Sequence, residues 1–160
     1  MTSPVRFRVA TSVDAPAMAQ CRSTDPVAGP ADSRMAAYFD GHHHPQEAMP
    51  PRIGFVATDG DAVVGYIAGH RTTRHGCAGE VQYLFVAPDY RRRGIATALL
   101  RLLADWFEKE GIRKVCVCVD ADSPAAAPFY TSLGASPIRK YWRAWEDIRV
   151  VVVYPFGLNR

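Results

Sequence analysis

The hydrophobic pattern changes its period twice between residues 80 and 119, and this change restricts the possible folds more than any other feature of the sequence. The segment Glu80 to Val86 is typical of a strand, and Val115 to Val119 is a short apolar run that is typical of a buried strand. Between them, from about Gly94 to Glu110, apolar residues recur at the spacing of a helix: Ala96, Leu99, Leu100, Leu103 and Phe107. A strand, a long helix and a second strand in succession predict a crossover that joins two parallel strands of one sheet.

The rest of the chain predicts further strands and helices on both sides of the crossover. Two runs rich in β-branched residues flank the turn Asp59 to Asp61, which indicates a hairpin. The further predicted elements are strands Val5–Ala10, Ile53–Thr58, Ala62–Thr72, Tyr141–Trp145 and Ile148–Val153, and helices at about Asp14–Arg22 (with Ser12 as N-cap), Asp32–Phe39 and Pro124–Leu133. The expected fold class is α/β (α+β), a mixed central sheet of about seven strands with one parallel pair and about four helices.

Length and composition limit the class of protein. A chain of 160 residues predicts one domain, residues 1–160, and 48% hydrophobic with 22% charged residues is a globular composition. The N-terminal segment Met1 to Ala10 alternates arginines with apolar residues, and no run of 18 apolar residues occurs, so we expect a soluble, cytoplasmic protein. The four cysteines lack a CxxC spacing and suit a reducing compartment.

The charge balance argues against two classes of partner. Nineteen basic and 16 acidic residues leave a net charge of +3, which is too small for a surface that binds nucleic acid or a membrane. Strong anion binding must therefore be local. Of the basic residues 16 are arginine, and Arg91, Arg92 and Arg93 are consecutive.

This arginine triplet lies in a segment, Val86 to Thr97, that runs from a strand through a turn into the start of a helix. Such a geometry directs free backbone N–H groups and the positive end of the helix toward one point, which makes an anion site. Gly94 and Ala96 leave room for a phosphate to approach the backbone. We expect a diphosphate there, although the segment has neither a Walker loop nor a GxGxxG motif. The alternative is a solvated basic turn.

The same segment resembles the signature of the GNAT superfamily of acyl-CoA-dependent N-acyltransferases, and the order of elements matches that family over essentially the whole chain. The signature is Arg or Gln, two variable residues, Gly, one variable residue, and Gly or Ala, which reads here Arg91-Arg92-Arg93-Gly94-Ile95-Ala96. A second family motif is present as Ser123, Ala126, Phe129, Tyr130 and Gly134. Two departures are Ser123, where the family usually has Asn, and Pro128, which predicts either a late start or a distorted first turn of the last helix.

The resemblance implies acetyl-CoA as co-substrate and assigns its site. The backbone of Arg92 to Thr97 holds the diphosphate, and the strand edge at Leu84 to Val86 pairs with the pantetheine amides in the manner of an added strand. That pairing requires the two parallel strands to splay apart, so that a backbone N–H near Phe85 or Val86 polarises the acyl carbonyl. The predicted cofactor-binding residues are Leu84, Phe85, Val86, Arg91, Arg92, Arg93, Gly94, Ile95, Ala96, Thr97, Ser123, Ala126 and Tyr130.

Two residues are predicted to be catalytic. The resemblance implies that Tyr130 is the general acid that donates to the departing thiolate, the alternative being plain core packing. Glu80 stands fourteen residues before Gly94, the separation at which some family members carry a general-base glutamate, but a charged strand end is also commonly only solvated. Alternation along the strand predicts one shared face for Glu80, Gln82, Leu84 and Val86.

The function predicted from these features is an acetyl-CoA-dependent N-acetyltransferase that transfers the acetyl group directly to a primary amine, without a metal. One alternative is a GNAT-like module that binds acyl-CoA as a sensor or partner-binding domain; a nucleic-acid-binding domain is the other and has the low net charge against it. The acceptor stays open among small amines, antibiotics, amino acids, peptide N-termini and lysines. The segment His42 to His44 is expected in an acceptor-side loop, one of Trp142 and Trp145 is a candidate for the acceptor pocket, and a homodimer is possible.

Overall fold

Seven strands form one mixed sheet in the computed structural model, which describes residues 4–119 and 125–152. The strands are β1 (Arg6–Val9), β2 (Ala48–Asp59), β3 (Ala62–Thr72), β4 (Gly79–Val86), β5 (Val115–Cys118), β6 (Ser136–Arg139) and β7 (Trp142–Trp145). The α-helices are α1 (Ala15–Ser23), α2 (Met35–Phe39), α3 (Ile95–Lys109) and α4 (Ala126–Ser132). The strand order is β1-β2-β3-β4-β5-β7-β6, with β4 and β5 parallel and all other neighbours antiparallel. The predicted fold class is confirmed.

The crossover helix α3 packs on one face of the sheet through the apolar stripe that the sequence predicts. Leu99, Leu100, Leu103 and Phe107 are fully buried. Strand β4 lies so close beneath the helix that a Cβ atom at Gly79 would stand only 2.6 Å from the ring of Phe107. Full burial of a leucine or phenylalanine side chain stabilises a fold by roughly 1.5–3 kcal/mol. This packing holds the start of α3, and with it the arginine turn, at a fixed place beyond the end of β4.

Helices α1 and α2 cover the opposite face of the sheet. Met18 and Met35 on these helices pack with Tyr66 of β3 and Phe85 of β4 in a second core cluster. Helix α2 begins three residues later than predicted, at Met35. None of the helices in the described ranges is long and apolar enough to cross a membrane.

The start of α1 corrects the predicted N-cap. A 3₁₀ turn, Ser12–Asp14, precedes the helix. The N-cap of this turn is Thr11 and not Ser12. Thr11 is extended and its hydroxyl accepts from the Val13 N–H at 3.3 Å, while the Asp14 carboxylate accepts from the Thr11 N–H at 2.9 Å. This reciprocal pair satisfies two backbone donors at once, which a cap one residue later does not achieve.

The C-terminal segment contradicts a second expectation. Ile148–Val152 is a 3₁₀ helix and not a strand, and Val153 lies outside the described residues. Ile148 and Val151, three residues apart, both bury against the core that α3 forms, so packing overrides the strand preference of this β-branched run. The seventh strand is instead β6, an exposed edge strand that contains Pro137, and edge strands tolerate proline because they need no donor on the free side.

The predicted last helix, Pro124–Leu133, is found as α4, although Pro124 lies outside the described residues. Helix α4 begins at Ala126, so Pro128 falls in its first turn, where a backbone N–H has no partner within the helix in any case. The first hydrogen bond runs from the Phe129 N–H to the Ala125 carbonyl at 3.2 Å. The helix therefore starts two residues before Pro128.

Strand β4 carries a β-bulge that changes the predicted division of its faces. The partners on β3 are Ala68 for Tyr83 and Gly69 for Val81, so Gln82 is an extra residue without a partner in this ladder. Val81 consequently packs with the α3 core, together with Leu84 and Val86. Glu80 shares the opposite face with Tyr83 and Phe85 and not, as predicted, the face of Leu84 and Val86.

Candidate active site

The parallel strands β4 and β5 are paired for only three residues and then separate. Gly79 to Val81 pair with Val115 to Val117, and no pairing with β5 follows for the rest of β4. A cavity of about 720 Å³ opens at this point, with Leu84 on one wall and Val117 on the other. The structure therefore has a slot between the two parallel strands, open along one edge of β4.

On the edge of β4 that faces the slot, the exposed backbone N–H and C=O groups come from alternate residues. The Ala87 N–H donates to the Val64 carbonyl at 2.8 Å, which fixes the phase of the antiparallel ladder between β3 and β4. Because inward and outward groups alternate, the N–H and C=O of Phe85 point to β3, and those of Leu84 and Val86 point to the slot. Of the two predicted N–H donors to the acyl carbonyl, Val86 is thus the one on the slot side.

The turn before α3 presents the backbone groups that an anion site needs. Gly94 is the N-cap in a left-handed conformation, with φ of 79°, and Arg92 is also left-handed, with φ of 64°. The first helical hydrogen bond runs from the Ala98 N–H to the Gly94 carbonyl. Within the described ranges, the N–H groups of residues 92–97 have no hydrogen-bond acceptor. Six donors at the positive end of a fifteen-residue helix form an anion-binding geometry.

Two of the three arginine side chains at this turn serve the structure itself. Arg91 donates to the Val86 carbonyl at 2.9 Å and pairs with Asp25 at 2.7 Å. Arg93 donates to the Asp89 carbonyl at 2.9 Å. These contacts tie the turn to the end of β4 and to the loop after α1, so the backbone and Arg92 are what the turn offers to a ligand.

Glu80 is buried and lines the cavity, which contradicts its description as a solvated strand end. The side chain is 4% exposed. One carboxylate oxygen lies 3.5 Å from Nε2 of His70, its register partner on β3, and the other lies 3.6 Å from the guanidinium of Arg74. The bulge at Gln82 produces this orientation, because it turns Glu80 away from the α3 core.

Tyr130 also borders the cavity, from the side of α4. Its ring packs edge-on against Trp145 with the centroids 5.7 Å apart, and 5% of the residue is exposed. Burial raises the pKa of the Tyr130 phenol well above its ordinary value. The hydroxyl is therefore protonated at neutral pH and can act as a proton donor.

The cavity brings together some of the predicted site residues and leaves others apart. Glu80, Leu84, Ala126 and Tyr130 all line it. The turn of residues 91–97 lies beyond the slot, at the end of β4, and is not part of the cavity wall. The predicted contact at Ser123 lies outside the described residues.

The cavity wall also contains residues that the sequence analysis leaves without a role. Tyr83 donates to Asp32 at 3.0 Å, and Arg74 lies over the ring of Trp142 at 4.8 Å. Burial raises the pKa of Asp32, but hydrogen bonds from Arg34 and Tyr83 outweigh it and lower the pKa overall. His43, His44 and Trp142 also line the cavity, and their predicted contact with an acceptor stays a prediction.

His70 is a fully buried polar residue beside Glu80 that sequence reasoning misses. A signal was present, since His70 follows the run Ala62 to Gly69, which contains no charged side chain. Among the residues that the structure describes, no group of three or more His, Cys, Asp or Glu side chains is arranged to hold a metal ion.

Comparison with known proteins agrees with this architecture. The sequence model of the acetyltransferase (GNAT) family matches residues 18–135, and the chain belongs to this family. N-alpha-acetyltransferase 30 of Schizosaccharomyces pombe is 27% identical over 110 residues, which cover 66% of this chain and 73% of that protein. The [ribosomal protein bS18]-alanine N-acetyltransferase of Escherichia coli is 45% identical over 78 residues, which cover 46% of this chain and only 53% of the relative. The prediction of an acetyltransferase is thereby confirmed at the level of the family.

A solved structure gives the same fold with a ligand. The PaiA N-acetyltransferase of Thermoplasma acidophilum, solved in complex with coenzyme A, superposes with a TM-score of 0.63 at 13% identity over 88% of this chain and 96% of that chain.

Proposed function

We propose that the protein transfers the acetyl group of acetyl-CoA directly to a primary amine, in a complex that holds both substrates. The observation that supports this most is the single cavity that contains the slot between β4 and β5, a buried carboxylate and a buried phenol. A slot for a thioester, a base on one side and an acid on the other are the parts that such a transfer needs. No covalent intermediate with the protein is required.

Acetyl-CoA fits this chain in two places. Its diphosphate is bound by the free N–H groups of residues 92–97, with Arg92 as the available cation. The pantetheine lies along the edge of β4, where outward backbone groups of Leu84 and Val86 pair with its amides, apart from the Val86 carbonyl, which accepts from Arg91. A slot-side N–H of β4 that the pantetheine leaves free then donates to the acyl oxygen, on which negative charge develops. The family membership and the coenzyme A complex of a structural neighbour support this placement.

The chemical step assigns one proton to each catalytic residue. The amine nitrogen attacks the acyl carbon and the C–S bond breaks, so one proton must leave the amine and one must reach the sulfur. Glu80 receives the amine proton, directly or through water, and Tyr130 donates to the departing thiolate. An alkylamine, with a pKa of roughly 10.4, is mostly protonated near pH 7 and must first lose a further proton to solvent, so that Glu80 takes the proton that the attacking neutral amine releases.

For the acceptor, the two named relatives direct attention to α-amines. One is an N-alpha-acetyltransferase and the other acts on an alanine of a ribosomal protein. The α-amino group of a peptide has a pKa of roughly 7.7–8.0, so it is far more often neutral at pH 7 than a lysine is. We therefore expect a peptide N-terminus to be a better acceptor than an ε-amine, with small primary amines as the further class.

The test is release of CoA thiol from acetyl-CoA in the presence of an amine panel. The panel contains short peptides with free and with blocked N-termini, N-blocked lysine peptides and small primary amines, and mass spectrometry identifies the acetylated product. Acceptor-dependent release supports the proposal. Tight binding of acetyl-CoA with no turnover on any acceptor would instead support the non-catalytic sensor.

A further inference from the structure

Two polar atoms face each other in the buried interior beside the cavity without a full hydrogen bond. His70 is fully buried and Glu80 is 3% exposed. His70 Nε2 and Glu80 Oε1 lie 3.5 Å apart, and neither has another hydrogen-bond partner among the described residues. Because an unpaired buried polar atom costs of order 1–3 kcal/mol, a pair of them beside a candidate catalytic carboxylate needs an explanation.

The other nitrogen of His70 has a well-defined partner. The Tyr38 hydroxyl lies 2.8 Å from His70 Nδ1, and Tyr38 is itself fully buried. Burial raises the pKa of the Tyr38 phenol, so this hydroxyl keeps its proton and is available as a donor. Donation to Nδ1 makes that nitrogen the acceptor and places the imidazole proton on Nε2, which faces Glu80. The opposite tautomer would direct a nitrogen lone pair at a carboxylate oxygen.

The register of the sheet fixes this arrangement. His70 and Glu80 are direct partners on β3 and β4, and the bulge at Gln82 directs Glu80 to the side on which α2 packs. Tyr38 comes from α2, and Arg52 lies over its ring at 4.6 Å. Helix α2 and strands β3 and β4 thus place Tyr38, His70 and Glu80 in a row of polar contacts.

We propose that His70 is a positioning residue for Glu80, with a tautomer set by Tyr38, and that its Nε2–H holds the carboxylate toward the amine that is to be deprotonated. This inference rests on the proposed role of Glu80 as base. Neither His70 nor Tyr38 lines the cavity, so both act through the carboxylate and not on the substrate.

Arg74 is a charged group close to this carboxylate, 3.6 Å from one of its oxygens. Among the described residues, Tyr38, His75, Cys77 and Cys116 are further titratable groups that interact electrostatically with Glu80. Burial raises the pKa of both thiols and of the phenol, and it lowers the pKa of His75, so these four are neutral near pH 7. Arg74 is thus the nearby cation, and the Nε2–H of His70 is the donor that faces the carboxylate.

The kinetic test compares two substitutions of His70, one that keeps a hydrogen-bond donor and one that removes it. His70→Gln keeps an amide N–H about as far from the backbone as Nε2, whereas His70→Leu removes the donor. We expect His70→Leu to lower kcat about tenfold or more near pH 7 and to move the acid limb of the kcat profile to higher pH, while KM for acetyl-CoA is unchanged. His70→Gln should retain most of the activity and the pH profile. Equal losses in both variants with unmoved profiles would overturn the proposal, since that pattern indicates packing alone.

A double substitution and a spectrum separate this inference from the proposed function. In a Glu80→Gln background, His70→Leu should cause no further loss of kcat; a full additional loss contradicts an action through Glu80. Nitrogen-15 NMR of the imidazole at pH 8 should show His70 with its proton on Nε2, a mixture of tautomers in Tyr38→Phe, and a displaced Nε2 signal in Glu80→Gln. A proton on Nδ1 in the wild type refutes the proposal. The spectrum does not depend on turnover, so an inactive protein would refute only the proposed function.

Discussion

Substitution of Gly94 tests the diphosphate site with the sharpest set of controls that the chain offers. Gly94 has φ of 79°, and no heavy atom lies within 4 Å of the position that a Cβ would take. Any L-residue there pays the left-handed penalty of roughly 1–2 kcal/mol but meets no clash. Gly94→Ala, Gly94→Gln and Gly94→Glu should therefore lose similar stability, about 2–8 °C in Tm for a domain of this size.

The three variants differ in what they present to a bound diphosphate. Alanine adds only a methyl group, glutamine adds bulk, and glutamate adds the same bulk with a negative charge. Two like charges about 6 Å apart at an effective dielectric constant of about 40 repel by ~1.4 kcal/mol, which is about tenfold in affinity for each phosphate charge. We expect acetyl-CoA affinity to fall in the order Gly, Ala, Gln, Glu, with glutamate about ten- to a hundredfold weaker than glutamine.

Isothermal titration of acetyl-CoA into each folded variant measures these affinities, at low and at high salt. The difference between glutamate and glutamine should shrink at high salt, because it is electrostatic and partly exposed to solvent. If the glutamate and glutamine variants bind acetyl-CoA equally well at low salt, the diphosphate does not lie on this turn.

Three further substitutions test the catalytic groups and one charged contact. Tyr130→Phe keeps the ring that packs on Trp145, so the fold and the KM for acetyl-CoA should persist while kcat falls about a hundredfold; an undiminished kcat returns Tyr130 to core packing. Glu80→Gln should lower kcat most on the plateau above the acid limb of the profile and should remove that limb, because at low pH the wild type also lacks an ionised base; an unaltered pH profile would mean that another group or water is the base. Hydrogen bonds from Arg8, partly opposed by burial, lower the pKa of Asp14, so its contribution to stability is complete above the unfolded-state pKa of about 3.9 and is lost as the pH falls through the folded-state value. Urea unfolding should therefore show a wild-type advantage over Asp14→Asn that is constant above about pH 5 and shrinks below it, and an advantage independent of pH would contradict this.

Features that depend on neighbouring residues could be predicted from the sequence. Helix α3 occupies Ile95–Lys109 against a predicted range of about Gly94 to Glu110, because a long apolar stripe fixes a helix by itself. The hairpin turns at Gly60 as expected, since Gly60 takes the positive φ that a tight turn requires. The glycine before α3 is left-handed for a similar local reason.

Features that depend on distant residues could not be predicted in the same way. The run Ile148–Val152 has the composition of a strand, but its role is to cover α3, and β6 occupies the edge position beside β7. The partner of Glu80 is another example. His70 and Glu80 are ten residues apart in sequence and meet only because of the register between β3 and β4, which no local pattern specifies.

The one extra residue at the bulge, Gln82, accounts for two properties of the candidate site. Up to Val81, β4 is paired with β5, and from Gln82 onward it is not, so the slot opens where the bulge lies. A bulge bends its strand and increases the local twist, which is a physical reason for two parallel strands to separate there. The same extra residue exchanges the faces of the strand, so that Val81 stays in the core and Glu80 turns toward the cavity. Without it, strict alternation with Leu84 and Val86 would direct the Glu80 carboxylate into the apolar packing of α3, where burial without a partner is strongly unfavourable. The irregular backbone thus makes a buried base beside an open slot compatible with a well-packed core.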